Sequence, residues 1–353
     1  MDATPSAEAR FVSALASGAR ESMRLPGNVF DWRVARQLCR RHQIAALCGY
    51  MIVGLQEPLR GEGSDFAEYV TGELRENTSR NLKLLAELRE LNEELERAGV
   101  SALFFKGPWL AHEAYPALGT RLIGDIDLGI SETEYHSAVD MLRTLGYQSE
   151  SALPRTSRDA LKRAHYREQL RFSADGRWPV ELHFRMVNLG PPGPREGWVD
   201  RTSREFSIGH SRLRVPGPEA MLVHLLIHAN QHGFRTLRLL HDIRWQLEKD
   251  VGKVDDSLLL SSIERLRMRT CAFFGLALAR EVAGAKVPLG WMDALRPSSL
   301  RARAYRRLWS VKRVATLDPR GWGQRLEAPR FYLLEMGGPL DKLRYLRGIL
   351  GWV

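Results

Sequence analysis

Two aspartates sit two residues apart in the run Asp125-Ile126-Asp127-Leu128, each followed by an aliphatic residue. Aspartate is depleted in strands, so an acidic pair in a strand-like run needs a reason. The period of two in a strand puts both carboxylates on one face and Ile126, Leu128 and Ile130 on the other. Acids on one face and a buried apolar face behind them suit a hard divalent cation. The alternative is an edge strand that solvates two acids. A third carboxylate follows in Val180-Glu181-Leu182-His183-Phe184, where apolar residues alternate with Glu181 and His183. Upstream, the apolar run Ala102 to Phe105 breaks at Lys106-Gly107. Three acids on polar strand faces, preceded by a glycine at a strand-to-helix turn, suit phosphoryl or nucleotidyl transfer. In such reactions charge shifts on both the triphosphate and the attacking oxygen. Cations held by shared carboxylates can clamp both ends of the displacement. Mg2+ takes one or two carboxylates and leaves room for water and phosphate oxygens, with Mn2+ as the alternative ion.

The elements that must position these residues can be read in order. Ala7 to Met23 is a helical pattern, and Asp31 is an N-cap for a second helix with Trp32, Ala35, Leu38 and Cys39 on one face. Ile44 to Leu55 is apolar nearly all round. Asp65 to Arg97 is the longest helical pattern, with Leu82, Leu85, Leu88, Leu91 and Leu95 at spacings of three and four. Ser64 or Asp65 would cap its start and Gly99 its end. Such a stripe reads as an internal packing face, with a dimerising coiled coil as the other reading. Pro108 suits the first turn of a helix running to Tyr115. Glu132 to Leu145 is amphipathic and closed by Gly146. Gln169 to Ser173 and Pro179 to Met186 flank Ala174-Asp175-Gly176-Arg177, a hairpin turn. The Pro- and Gly-rich run Asn188 to Glu196 reads as a surface loop. After a short strand, Arg212 to Val215, come helices over Glu219 to Gln231, Thr236 to Asp250 and, in two pieces, Asp255 to Ala283.

Net charge is +10, from 52 Lys plus Arg against 42 Asp plus Glu. The surplus favours anionic partners, with nucleotides, nucleic acid and acidic lipid all open. Arginine and tryptophan after Trp291 could form a nucleic-acid surface, but a helical region packed on the core is the favoured reading. Cys39, Cys48 and Cys271 form no CxxC pair, which suggests neither a disulfide framework nor a zinc site and fits a cytoplasmic setting. No apolar run reaches the length of a membrane span, and no signal peptide is legible. Oligomeric state is not written in the residues.

The ordered set Phe105-Lys106-Gly107, Arg121, Asp125-Ile126-Asp127-Leu128 and Val180-Glu181-Leu182-His183 resembles the nucleotidyltransferase fold shared with polymerase beta and aminoglycoside nucleotidyltransferases. More narrowly it is similar to a bacterial branch described as uncharacterised nucleotidyltransferases. That branch has a Lys-Gly, an Arg shortly before DxD, an acidic Leu-His strand and a following His-rich helix. The likeness covers roughly Asp65 to Asp250. It implies a mixed α/β (α+β) fold: a small mixed-sheet core over residues 99–215, between a helical N-terminal region, 1–98, and a helical C-terminal region, 216–353. It implies Mg2+-dependent transfer of a nucleoside monophosphate from an NTP such as ATP to an acceptor hydroxyl or phosphate. A small molecule or peptide is the favoured acceptor. RNA or protein acceptors, and a non-catalytic or antitoxin-like module, are the alternatives. Carried over, Asp125, Asp127 and Glu181 would be the catalytic metal ligands. The wider superfamily has Gly-Ser or Gly-Gly at the phosphate turn. Here Pro108 follows Gly107, and Lys106 and Arg121 are taken to supply positive charge to the phosphates instead.

His224, His228 and His232 share one helix face at metal-ligand spacing, but no fourth ligand accompanies them. The favoured reading puts His228 and His232 in the substrate cleft, with His183 beside Glu181 and Arg238 at its edge. Arg238 and Asp242, one turn apart, read equally well as a structural ion pair.

Overall fold

A leucine-rich helix of 36 residues, α4 (Glu62–Arg97), is the spine of the chain. At 1.5 Å per residue it is about 54 Å long. The buried stripe runs through Leu84, Leu88, Leu91 and Leu95, while Leu82 is 56% exposed. Leu84 takes the place expected for Leu82, because a straight 3.6-residue period drifts off a stripe drawn from Leu82. The helix also begins a turn earlier than Ser64. Gly61, at φ 58°, stands at its N-cap, and the Ser64 hydroxyl donates back to the Gly61 carbonyl. The stripe is an internal packing face: its leucines belong to the same core as Leu103, Ile126, Leu128, Val180 and Leu182.

The computed structural model describes residues 6–19, 30–55, 57–156, 170–184, 199, 201–299 and 302–303. The loop expected over 188–196, the end of the strand expected to reach Met186, and the basic stretch beyond 303 lie outside them. The first helices are α1 (Ala7–Ser17), α2 (Trp32–His42) and α3 (Ala45–Val53). Asp31 caps α2 as expected, its carboxylate accepting from the Arg33 and Val34 amides at 2.8 and 3.3 Å.

The fold is mixed α/β with a five-stranded mixed sheet. Its strands are β1 (Leu103–Phe104), β2 (Ile126–Gly129), β3 (Gln148–Ser149), β4 (Leu170–Ser173) and β5 (Val180–His183), in the spatial order β1-β2-β5-β4-β3. Among the described residues, only the β2–β5 pairing is parallel. Helix α6 (Tyr135–Thr144), entered through a capping box of Ser131 and Glu134, follows β2 and leads to β3. The expected hairpin joins β4 to β5, with Gly176 at φ 74° in its turn. A separate hairpin pairs β6 (Arg204–Ile208) with β7 (Ser211–Val215). Sequence reading missed β3 and β6.

Beyond β7 come α7 (Pro218–Gln231), α8 (Leu237–Lys249), α9 (Asp256–Arg265), α10 (Arg269–Ala283) and α11 (Leu289–Ala294). Among the described residues, buried side chains from Phe11 to Ala302 form one continuous core, so helices before and after the sheet share it. No helix there is long and apolar enough to cross a membrane.

Candidate metal and phosphate site

The site is built where β1 ends beside β2. The Phe105 amide still bonds the Asp127 carbonyl at 3.0 Å, extending the antiparallel ladder by one residue. The chain then turns sharply at Lys106, which adopts φ 44° and ψ −97°. A non-glycine residue there stores strain of order 1–3 kcal/mol, which the surroundings must hold. Gly107, Pro108 and Trp109 form one helical turn, α5 (Gly107–Trp109), with the proline in its first positions as expected. It passes directly into a π-helical turn, Leu110–Ala114. Single π turns of this kind recur near functional sites. A Cβ on Gly107 would lie 3.1 Å from Ile123 Cγ2, a tight contact, and 3.4 Å from Arg121 Nη1, an ordinary one, so the turn packs closely against Ile123 and beside Arg121.

The parallel register places Asp127 opposite Glu181 and Gly129 opposite His183. Asp127, Glu181 and His183 therefore share one face of adjacent strands. A carboxylate oxygen from each acid and a ring nitrogen of His183 all lie within 4.8 Å of one another. Asp127 Oδ1 takes two contacts, Lys106 Nζ at 2.9 Å and His183 Nε2 at 2.8 Å. Glu181 Oε1 accepts from Arg171 Nη1 at 3.0 Å, and its Oε2 lies 3.9 Å from His183 Nε2. All but Arg171 are buried. Burial alone would push the Asp127 carboxyl up, but the Lys106 ammonium and the His183 bond outweigh it and hold it well below the usual carboxylate range. Glu181 goes the other way. Burial, then the charges of Asp127 and Asp125, raise its carboxyl.

Among the described residues, Asp127 Oδ2 has no hydrogen-bond partner and Glu181 Oε2 has none closer than His183. Two adjacent carboxylates with an oxygen each to spare fit a hard divalent cation that keeps open positions for water and phosphate. The group differs from the expected set in one member. Asp125 stands just before β2, half-buried, and His183 is drawn in instead. The cause is where the ladder starts: the first β2–β5 bond runs from the Ile126 amide to the Pro179 carbonyl at 2.8 Å. Asp125 is thus outside the paired strand that fixes Asp127. It remains close enough to Glu181 to raise that carboxyl.

Arg121 is buried, and its guanidinium grips Asp242 with two bonds, Nε to Oδ1 at 2.8 Å and Nη2 to Oδ2 at 2.9 Å. Tyr115 donates to Asp242 Oδ1 at 2.7 Å, and Arg238 Nη1 lies 3.4 Å from Oδ2. Burial would raise the Asp242 carboxyl, but the two arginines hold it below its usual value. Arg121 thus ties the loop before β2 to α8, which matches its charge, and its Nη1 lies beside Gly107. Arg238 also reaches Gln43 Oε1, at 2.7 Å. Two asparagines of α4 complete the brace. Asn77 and Asn81 each donate to the Arg121 carbonyl, at 3.0 and 2.9 Å, and to the carbonyls of Gly119 and Leu118, both at 2.6 Å. Sequence reading missed both. Asparagine on a helical pattern looks like a solvated residue, and only their spacing of four hinted at a shared partner.

The histidines of α7 form a row. His224 stacks on Phe105 with centroids 5.2 Å apart, and Phe105 meets the His183 ring edge-on at 6.0 Å. His228 lies parallel to His224 at 6.2 Å, and His232 meets His228 at 4.5 Å. The row runs from buried His224 to exposed His232. Burial, with Lys106 and the flanking histidines, pushes His228 well below its usual pKa, so its ring is neutral at pH 7. Among the described residues these three do not gather as a metal-ligand group; the acidic pair with His183 does.

A search of curated proteins gave no match, and neither did a search of solved structures. A family model described as an uncharacterised nucleotidyltransferase matches residues 28–284, from before α2 to the end of α10. The match spans the sheet, the acidic pair and its braces, and the chain belongs to that family of uncharacterised nucleotidyltransferases.

Proposed function

We propose that this nucleotidyltransferase is Mg2+-dependent, with Mn2+ able to substitute, and moves a nucleoside monophosphate from an NTP such as ATP to an acceptor hydroxyl or phosphate. Asp127 and Glu181, abreast on parallel strands with spare oxygens, carry the reading. The cation they would hold neutralises triphosphate charge and steadies both ends of an in-line displacement. Glu181, whose carboxyl is raised, is the better base of the pair and takes the proton of an acceptor hydroxyl. Asp125 completes the acid set from the start of β2. Lys106 and the Gly107 turn face the phosphates, and Arg121 holds that turn in place. His183, His228, His232 and Arg238 line the approach. The acceptor is a small molecule or a peptide. Three buried cysteines outside any disulfide fit a reducing, cytoplasmic setting.

The test is label transfer. With Mg2+ and an NTP labelled at the α-phosphate, label should move to a small-molecule or peptide acceptor, and EDTA should stop it. Transfer to RNA alone would reassign the acceptor. No metal-dependent NTP binding in a calorimetric titration would make the chain a non-catalytic module.

A further inference from the structure

Lys106 and a divalent cation have claims on the same carboxylate. Lys106 Nζ is 2.9 Å from Asp127 Oδ1, and both side chains are more than nine-tenths buried. The backbone turns through a strained conformation at Lys106, so the residue lies where the chain is hardest to relax. Asp127 is therefore already neutralised by a resident positive charge. An ion bound through Asp127 and Glu181 would stand a few ångströms from an ammonium, in a pocket that screens charge poorly. Two cations cannot both be held there cheaply. The lysine stem is flexible, and a compact ammonium binds phosphate oxygens well as a point charge.

We propose that Lys106 is a resident counter-cation that exchanges with the incoming divalent ion, leaving Asp127 for the phosphates of the nucleotide that arrives with it. This rests on the metal reading of Asp127 and Glu181 above. Each ligand then prepares the site for the other. The ion frees Lys106 for the nucleotide, and the nucleotide draws Lys106 away from the ion. By linkage the coupling is reciprocal, so the nucleotide should tighten the ion as much as the ion tightens the nucleotide.

The experiment is Mn2+ binding to the full chain by electron paramagnetic resonance, with and without a non-hydrolysable NTP analogue. Lys106→Met and Lys106→Gln should each bind Mn2+ alone at least tenfold more tightly than the native protein, and should lose the tightening that the analogue gives. Lys106→Gln keeps a polar group against Asp127 and serves if the methionine variant does not fold. Lys106→Arg, which keeps the charge, should stay weak. Unchanged Mn2+ affinity in folded Lys106→Gln overturns the exchange while leaving the metal site standing. If Asp127→Asn binds Mn2+ as the native protein does, or nothing binds it even with the analogue, the metal reading falls and the exchange with it.

Discussion

The buried charges of the site are balanced pair by pair, and each imbalance has a foreseeable cost. Asp242 answers Arg121 inside the protein, so Asp242→Asn leaves a guanidinium half-paired and should destabilise the fold by about 3–5 kcal/mol in urea unfolding. The same pair has a pH signature. Asp242's carboxyl is lower in the folded than in the unfolded chain, so its stabilisation is full above the ordinary carboxylate range and is lost as pH falls below that range through the lower folded value. Glu181→Gln keeps the shape of its side chain and an oxygen that can accept from Arg171, but removes the negative charge. It should lower turnover at least a hundredfold while nucleotide still binds, as single-turnover and binding measurements would show; loss of folding would mean Glu181 is structural. Asp127 and Glu181 were legible because a strand alternates and acids are rare in it. Arg121 was legible as a charge near the acids, but not its destination. Asp242 is 121 residues away, and no local pattern encodes so distant a partner. Asp125 was legible by the same alternation, and its charge reaches Glu181, but alternation does not say that strand pairing begins only at Ile126.

At the scale of elements, α4 sets the geometry. Besides the leucine stripe and the two asparagines, its Glu90 takes both guanidinium nitrogens of Arg177 in the β4–β5 turn, at 2.9 Å each. Its Glu87 meets Tyr147 Oη at 2.7 Å and the Trp178 amide at 3.0 Å. One helix thus holds both the loop before β2 and the hairpin that carries Glu181. Asn81→Ala should cost about 1–3 kcal/mol, because buried carbonyls lose their donor, and it should weaken nucleotide binding by loosening the turn. A nucleotide titration of the folded variant checks the second effect. β2 has its own constraint: a Cβ on Gly129 would fall 2.5 Å from the Phe105 ring. Gly129→Ala should therefore cost about 1–3 kcal/mol through overpacking and shift Phe105 against His224 and His183. Long periodic elements such as α4 and α7 were legible in the sequence. The two-residue strand β3 was not, since two residues show no period, and β6 is paired only by a hairpin whose turn, Gly209-His210, gave little warning.

For the whole molecule, one core ties the helices before and after the sheet to the strands that carry the acids. Two buried histidines in the flanking helices are pushed down to about 3 by burial, His42 in α2 and His241 in α8. Both are neutral in the folded chain at pH 7 and would be protonated earlier when unfolded. Their contribution is full above about 6.5 and is lost as pH falls toward 3. Urea midpoints should drop steadily over that range, and His241→Phe should flatten the fall. The family match covers residues 28–284, and the continuous core takes in that stretch together with α1 and α11 on either side; the proposed chemistry rests on Asp127 and Glu181. The most direct measurement is Mg2+-dependent pyrophosphate release from NTP by the native chain, Asp127→Asn and Glu181→Gln, each shown to be folded by circular dichroism. Release should need Mg2+ in the native chain and fall at least a hundredfold in both variants. Undiminished release from either folded variant would mean that Asp127 and Glu181 do not hold the catalytic ion.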